Sequence, residues 1–205
     1  MGEIKVGCLV LGSIDTNVYF LHREGEFDAI VIDPAMRGDV IFTRLREKGL
    51  FVKAILLTHG HFDHISGVNE MRDISKAKVY ASIDEKELMA DPSLNLSSTM
   101  AKEPYTTEAD VWVKDGDEIE VGSMKCRVIA APGHTRGSIA FYFEDDKLLF
   151  TGDSLFAGSH GRTDFPTGDE GQMMETLKKF STMDSDIRVY PGHDNFTTIG
   201  QEYDF

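Results

Sequence analysis

Four side chains able to bind a metal ion fall within six residues of the segment Thr58-His59-Gly60-His61-Phe62-Asp63-His64. Imidazole nitrogens and carboxylate oxygens are ligands for zinc and for other first-row divalent ions. Gly60, beside the first two histidines, is expected to let the backbone turn tightly enough to aim their rings together. Three later segments repeat one arrangement, an apolar run, a small or glycine residue, then a ligand: AAPGHT at His134, LLFTGDS at Asp153 and VYPGH at His193. Ligands delivered from several strand ends to one point suit a metal, because a rigid scaffold spares the cost of ordering them when the ion binds. The donors are nitrogen and oxygen only; zinc is the first expectation, and iron or manganese accepts the same atoms.

The elements that must position these groups are legible around them. KVGCLVL, NVYFLHR and FDAIVIDP read as strands, the last ending at Asp33-Pro34, where proline stops the strand and leaves a carboxylate at its tip. DVIFTRLREK, residues 39 to 48, has helical spacing, with Asp39 as cap and Gly49 as stop. VKAILLTHGHFDHISGV reads as a strand, a ligand-bearing turn and a helix over residues 65 to 73. A strand KVYAS and a charged helix IDEKELMA precede residues 91 to 109, which show no period and read as a long surface loop. VWVKDG, DEIEVG, MKCRVIAAP, SIAFYFE and KLLFTGD follow as strands, with KDGD and EDDK as turns between neighbours, then a helix over 170 to 181 and a last strand in IRVYPGHDN. Strand groups in both halves, each followed by helices, predict an α/β sandwich: two mixed sheets face to face with helices outside. A doubly wound parallel sheet is the alternative.

With 205 residues and 41% hydrophobic composition, the chain is expected to form one domain, residues 1–205, around its own core. Cys8 and Cys126 are too sparse for a disulfide scaffold and are expected to be buried strand residues. The amino-terminal run lacks the basic start and cleavage site of a signal peptide, and no stretch reaches the apolar length of a membrane span, so a cytoplasmic location without a membrane partner is expected. A net charge of −14 argues against nucleic acid, since phosphate binding concentrates lysine and arginine. A small-molecule substrate is the expected partner.

HGHFDH, PGHT, GDSLF and PGH, in this order, resemble metallo-β-lactamase-fold hydrolases over nearly the whole chain. GDSLFAGSHGRTDFP and PGHDNFTTIG are similar to blocks of the glyoxalase II group, the hydroxyacylglutathione hydrolases, in particular its compact members. The resemblance implies an αββα fold and two divalent ions, one held by His59, His61 and His134, the other by Asp63, His64 and His193, with Asp153 bridging. Asp33 would orient a histidine from behind. Asp63 and Asp153 would be catalytic, and the implied reaction is attack of a metal-bridging hydroxide on a thioester such as S-lactoylglutathione. Arg162, in HGRTD, would meet a glutathione carboxylate, and His160 would line the pocket; His22 has no assigned role.

Two features depart from the larger glyoxalase II enzymes. The sequence to Phe205 is expected to form the metal-binding domain without their C-terminal helical extension, and Asp164 stands near where they place a tyrosine. The alternatives are an iron-dependent persulfide dioxygenase of the same fold, whose mononuclear site uses fewer ligands, and a non-catalytic metal-binding module. A structural metal is usually closed off by protein ligands, whereas three ligands per ion with a bridging aspartate leave room for water.

Overall fold

Strand β3 (Asp28–Ile32) is apolar on both faces because it is covered on both: Ile30 and Ile32 point to one buried cluster, Ala29 and Val31 to another. The computed structural model describes residues 2–203. β1 (Ile4–Leu11), β2 (Thr16–Arg23), β3, β4 (Phe51–Leu56), β5 (Lys78–Ser82) and β6 (Val111–Val113) form one sheet in sequence order. Its first two pairings are antiparallel and the other three parallel. β7 (Glu118–Val121), β8 (Met124–Ala130), β9 (Ile139–Phe143), β10 (Leu148–Gly152), β11 (Arg188–Pro191) and β12 (Thr197–Thr198) form the second, again in sequence order. There only β10 and β11 run parallel. Two mixed sheets replace the doubly wound alternative.

The inner faces meet in a core that includes Leu21, Ile30 and Leu56 from the first sheet and Val128, Phe141 and Phe150 from the second. Burial of such side chains, at about 25 cal/mol per Å² of apolar surface, is what holds the sheets together. On the outer face of the first sheet lie helices α1 (Gly38–Glu47) and α3 (Val68–Ser75), which contribute Ile41, Leu45, Val68 and Met71. The second sheet is covered by α6 (Glu170–Phe180), where Met173, Thr176 and Phe180 recur on one buried face. Asp169 caps α6 by accepting from the Gln172 amide at 2.8 Å.

Several expectations need correction. α1 is not capped by Asp39; its N-cap is Arg37 in the left-handed region, and Asp39 pairs with the Arg37 guanidinium instead. Helix 65 to 73 is two helices, α2 (Phe62–Ile65) and α3, broken at Ser66-Gly67. There the Gly67 amide bonds the Pro34 carbonyl at 2.8 Å, and a Cβ on Gly67 would strike that oxygen. IDEKELMA forms a 3-10 turn, Ile83–Glu85, followed by α4 (Lys86–Ala90). KDGD does not join hydrogen-bonded neighbours: it carries the chain from β6 in one sheet to β7 in the other. Cys126 is buried but Cys8, on edge strand β1, is exposed.

Residues 91 to 109 are the largest departure. They contain α5 (Ser97–Met100), and Asn95, Leu96 and Ser97 are buried. Polar residues read as loop-formers from sequence instead satisfy backbone groups here. Asn95 bonds the Tyr105 carbonyl, the Tyr105 hydroxyl accepts from the Asn69 amide, and the Asn95 carbonyl accepts from the Phe62 amide at 2.9 Å. The segment is thereby tied to both α2 and α3. Among the described residues no helix is long and apolar enough to cross a membrane.

Candidate metal centre

β4 ends at Leu56, and the chain then presents His59 and His61 before α2 begins at Phe62, so that Asp63 and His64 occupy the first turn of a helix. Gly60 does not take a left-handed turn. What it provides is space, since a Cβ there would meet Met89, Leu88 and the Glu85 carboxylate. The second sheet supplies the rest: His134 from the loop after β8, Asp153 at the end of β10 and His193 just after β11. Gly152 and Gly192 allow the close approach, because a Cβ on the first would collide with Thr58 and on the second with Asp153.

All seven expected ligands converge. Three groups have ligand atoms within 4.8 Å of one another: His59, His61 and His134; His59, His64 and Asp153; Asp63, His64 and His193. Asp153 reaches toward both ends of the cluster, with Oδ1 3.3 Å from His64 Nε2 and Oδ2 3.5 Å from each of the His134 and His193 Nε2 atoms.

The tautomers follow from partners that can only accept. His134 Nδ1 donates to the Arg162 carbonyl at 2.7 Å, which leaves a lone pair on Nε2, 2.9 Å from His61 Nδ1. His64 Nδ1 donates to Asp33 Oδ2 at 2.9 Å, which turns Nε2 toward the Asp63 and Asp153 carboxylates. Thr58 Oγ1 donates to Asp33 Oδ2 at 2.6 Å and so accepts from His59 Nδ1 at 3.2 Å. Asp33, in a left-handed conformation at the tip of β3, thus orients His64 directly and His59 through Thr58.

Buried polar atoms without a partner include His59 Nε2, His61 Nε2, His64 Nε2 and Asp153 Oδ1. Orphaned atoms of this kind are costly unless something fills the space between them. Burial, helped by the other histidines, holds His59 well below the ordinary imidazole range and takes His61 down to about 3, so both are neutral donors. Burial also disfavours charge on His64, but Asp63, Asp153 and Asp33 outweigh it and hold its pKa well above the usual value. His193 is lifted against its own burial to about 10 by Asp153 and Asp63. Burial works against ionisation of Asp63 and Asp153 too, yet the histidines keep both far below the usual carboxylate range. Without an ion the charge of Asp63 and Asp153 is met by protons on His64 and His193; a divalent cation can take the place of those protons, and the nitrogen and oxygen donor set fits one.

The cluster opens on a cavity of about 340 Å³, walled by Ile14, Phe62, Leu96, Phe156 and Phe165 with Arg162 at its edge. Arg162 lies over the Phe165 ring and grips Asp164 with two bonds of 2.6 and 2.7 Å. His160 is not among the lining residues; its Nδ1 is 2.9 Å from the Gly161 carbonyl. His22 lies on β2, away from the cluster.

Sequence reasoning missed Glu85. It is 1% exposed, and it accepts from the Gly60 amide at 2.7 Å, from the Gly137 amide at 2.9 Å and from the Thr135 hydroxyl at 2.9 Å. It therefore braces the His59–His61 loop against the His134 loop. Burial raises its pKa, and the three donors pull it back in part. Glu85, the N-cap of α4, stands three and four residues before the buried Leu88 and Met89, in line with the apolar face of that helix, a position where a surface glutamate does not belong. Thr16 and Asn17 were also missed: Thr16 donates to Asp63 at 2.8 Å, and Asn17 bonds the Pro191 and Asp194 carbonyls on either side of His193.

Residues 11–193 match the sequence model of the metallo-β-lactamase superfamily. The chain is 35% identical to the probable metallo-hydrolase YqgX of Bacillus subtilis (strain 168), covering 95% of this chain and 92% of that one. It is 33% identical to the hydroxyacylglutathione hydrolase GloC of Haemophilus influenzae, covering 87% and 86%. Among solved structures, the B3 metallo-β-lactamase BLEG-1 superposes with a TM-score of 0.93 at 36% identity, covering 98% of this chain and 97% of that one. ETHE1 from Myxococcus xanthus gives 0.80 at 30%, covering 97% and 81%, and TTHA1623, in a di-iron-bound form, gives 0.85 at 29%, covering 96% of each.

Proposed function

Since this chain belongs to the metallo-β-lactamase superfamily and is a metal-dependent hydrolase, we propose that it hydrolyses thioesters, with S-lactoylglutathione as the leading substrate. The observation that carries this reading is the composition of the cavity wall. Apart from the metal-binding cluster, its only ionisable lining side chain among the described residues is Arg162. An amide nitrogen generally leaves with a proton from a placed acid, whereas a thiol of pKa about 8.5 leaves as its own anion. A wall without a spare acid suits the second leaving group. GloC, a relative of nearly the same length, is named for this activity.

Two divalent ions, zinc as the first expectation and iron also consistent with a di-iron-bound neighbour, would be held by His59, His61 and His134 and by Asp63, His64 and His193, with Asp153 between them. Bound there, they would make a water nucleophilic at neutral pH and polarise the thioester carbonyl. The chain's own residues do the positioning. Asp33 and Thr58 fix the rings of His64 and His59, the Arg162 carbonyl fixes His134, and Thr16 fixes the Asp63 carboxylate. Phe62, Leu96 and Phe165 keep the reacting carbonyl dry, while the Arg162 guanidinium can exchange Asp164 for a glutathione carboxylate. A cytoplasmic small-molecule substrate, without nucleic acid or membrane partners, belongs to the same proposal.

The other reading is the one the sequence resemblance offers, oxygen-dependent persulfide chemistry at a single iron in the same fold. The test is turnover of S-lactoylglutathione by protein of measured metal content, beside a chelated control and an oxygen electrode with glutathione persulfide. Metal-dependent thiol release supports the proposal. Oxygen uptake without thioester turnover replaces it.

A further inference from the structure

A second hollow lies beside the metal-binding cavity. It measures about 450 Å³ and shares Phe62, Asp63 and Met100 with the first, so the two adjoin along the turn that carries Asp63. Arg162 and Phe165 line only the first cavity; Ala35, Met36 and Tyr105 line only the second. Its wall is preformed, because the segment carrying Met100 is pinned through Asn95 and Tyr105 to α2 and α3. Met36 and Met100 are nevertheless 39% and 46% exposed. Apolar side chains left facing water in a concavity mark a binding surface, and methionine's flexible thioether adapts to irregular apolar partners. Besides Asp63, the charged lining residues are Lys102 and Glu103, adjacent and opposite in sign.

A thioester carbonyl carries two arms, and a carbonyl held over the cluster must send them in different directions. With the thiol arm taken toward Arg162, the acyl arm would be left to run along Phe62 and Met100, the apolar residues that the two hollows share. We propose that this hollow is an acyl subsite for unbranched aliphatic chains longer than lactoyl, an assignment that rests on the thioester reading above. Lactoyl itself would leave most of it unfilled.

The test is calorimetric titration of the metal-loaded protein with non-hydrolysable S-methyl-, S-butyl- and S-hexylglutathione, with the matching acylglutathiones followed for hydrolysis. Each methylene that enters the hollow lowers Kd about fourfold, so S-hexylglutathione binds at least tenfold tighter than S-butylglutathione. Met36→Glu brings that ratio close to one, and Met36→Leu retains it. A ratio near one in the unaltered protein, or one that Met36→Glu leaves intact, overturns the subsite. A chain-length ladder in binding with no acylglutathione hydrolysed removes the thioester reading and with it the acyl assignment, leaving an alkyl-binding hollow; hydrolysis without the ladder keeps the thioester reading and overturns the subsite.

Discussion

Replacing Asp33 with asparagine isolates what the residue behind the metal centre does. Its carboxylate, 2% exposed, accepts from the Thr58 amide at Oδ1 (2.8 Å) and from the Thr58 hydroxyl and His64 Nδ1 at Oδ2 (2.6 and 2.9 Å). Asparagine keeps the shape but turns one oxygen into a donor. With the amide oxygen toward His64, the new NH2 faces the Thr58 N–H and leaves a buried donor unpaired, at a cost of about 1–3 kcal/mol. With the amide reversed, the NH2 faces His64 Nδ1, which must then accept; the ring proton is confined to Nε2, beside Asp63 and Asp153, and the lone pair an ion there would take is lost. Both outcomes weaken metal binding, and loss of such a supporting partner typically lowers affinity 10–100-fold, or about 1.4–2.7 kcal/mol. The assay is metal titration against a competing chelator, with nitrogen-15 shifts of the histidine rings to read the tautomer. Native affinity for both ions together with an unchanged His64 tautomer would refute the assigned role.

Glu85→Ala should orphan two buried backbone donors, at Gly60 and Gly137, and lower unfolding stability by about 2–6 kcal/mol; a loss below about 1 kcal/mol in a denaturant titration would show that the brace carries little. Arg162→Ala should raise KM for S-lactoylglutathione about tenfold with kcat nearly unchanged, as expected for a lost carboxylate contact, and an unmoved KM would confine Arg162 to its pair with Asp164. In metal-free protein, His193 has its folded pKa raised to about 10, so its stabilising contribution is complete below the unfolded value near 6.5 and is lost as pH rises through about 10. Thermal melts of chelated protein should therefore fall between pH 7 and 10, and a flat profile would mean that His193 does not hold its proton.

The ligands were readable because four apolar runs end in ligand-bearing segments, where a strand hands over to a loop or, for Asp63 and His64, to a short helix, and because Asp33-Pro34 marks a strand tip without any need for tertiary information. The sandwich was readable from strand groups in both halves. KDGD misled because a turn sequence reports only that the chain reverses, not whether the next strand pairs in the same sheet. Residues 91 to 109 misled for a different reason. Asparagine, serine and threonine usually bond nearby backbone and so read as loop, but here Asn95, Ser97 and Thr107 spend that capacity on holding the segment to itself and to α3. Glu85 was hidden because its partners lie 25, 50 and 52 residues away.

Each three-ligand group proposed for an ion draws on both sheets: His59 and His61 with His134, and Asp63 and His64 with His193. A bound ion therefore ties across the seam that the apolar core already closes. The core fixes where the ligand-bearing loops stand, while Asp33, Glu85, Thr16 and Asn17 fix how the loops and their side chains are turned, two of these four reaching from one sheet's loops to the other's. That division explains why so many ligand neighbours are glycines. With the sheets packed at core density, the loops at the seam have no room for side chains that neither bind nor brace, as the collisions awaiting a Cβ at Gly60, Gly137, Gly152 and Gly192 show. The glycine in each PGH and TGD block is thus a packing requirement of a metal centre built across two sheets, and only Gly133 and Gly152 of that set also need a left-handed backbone.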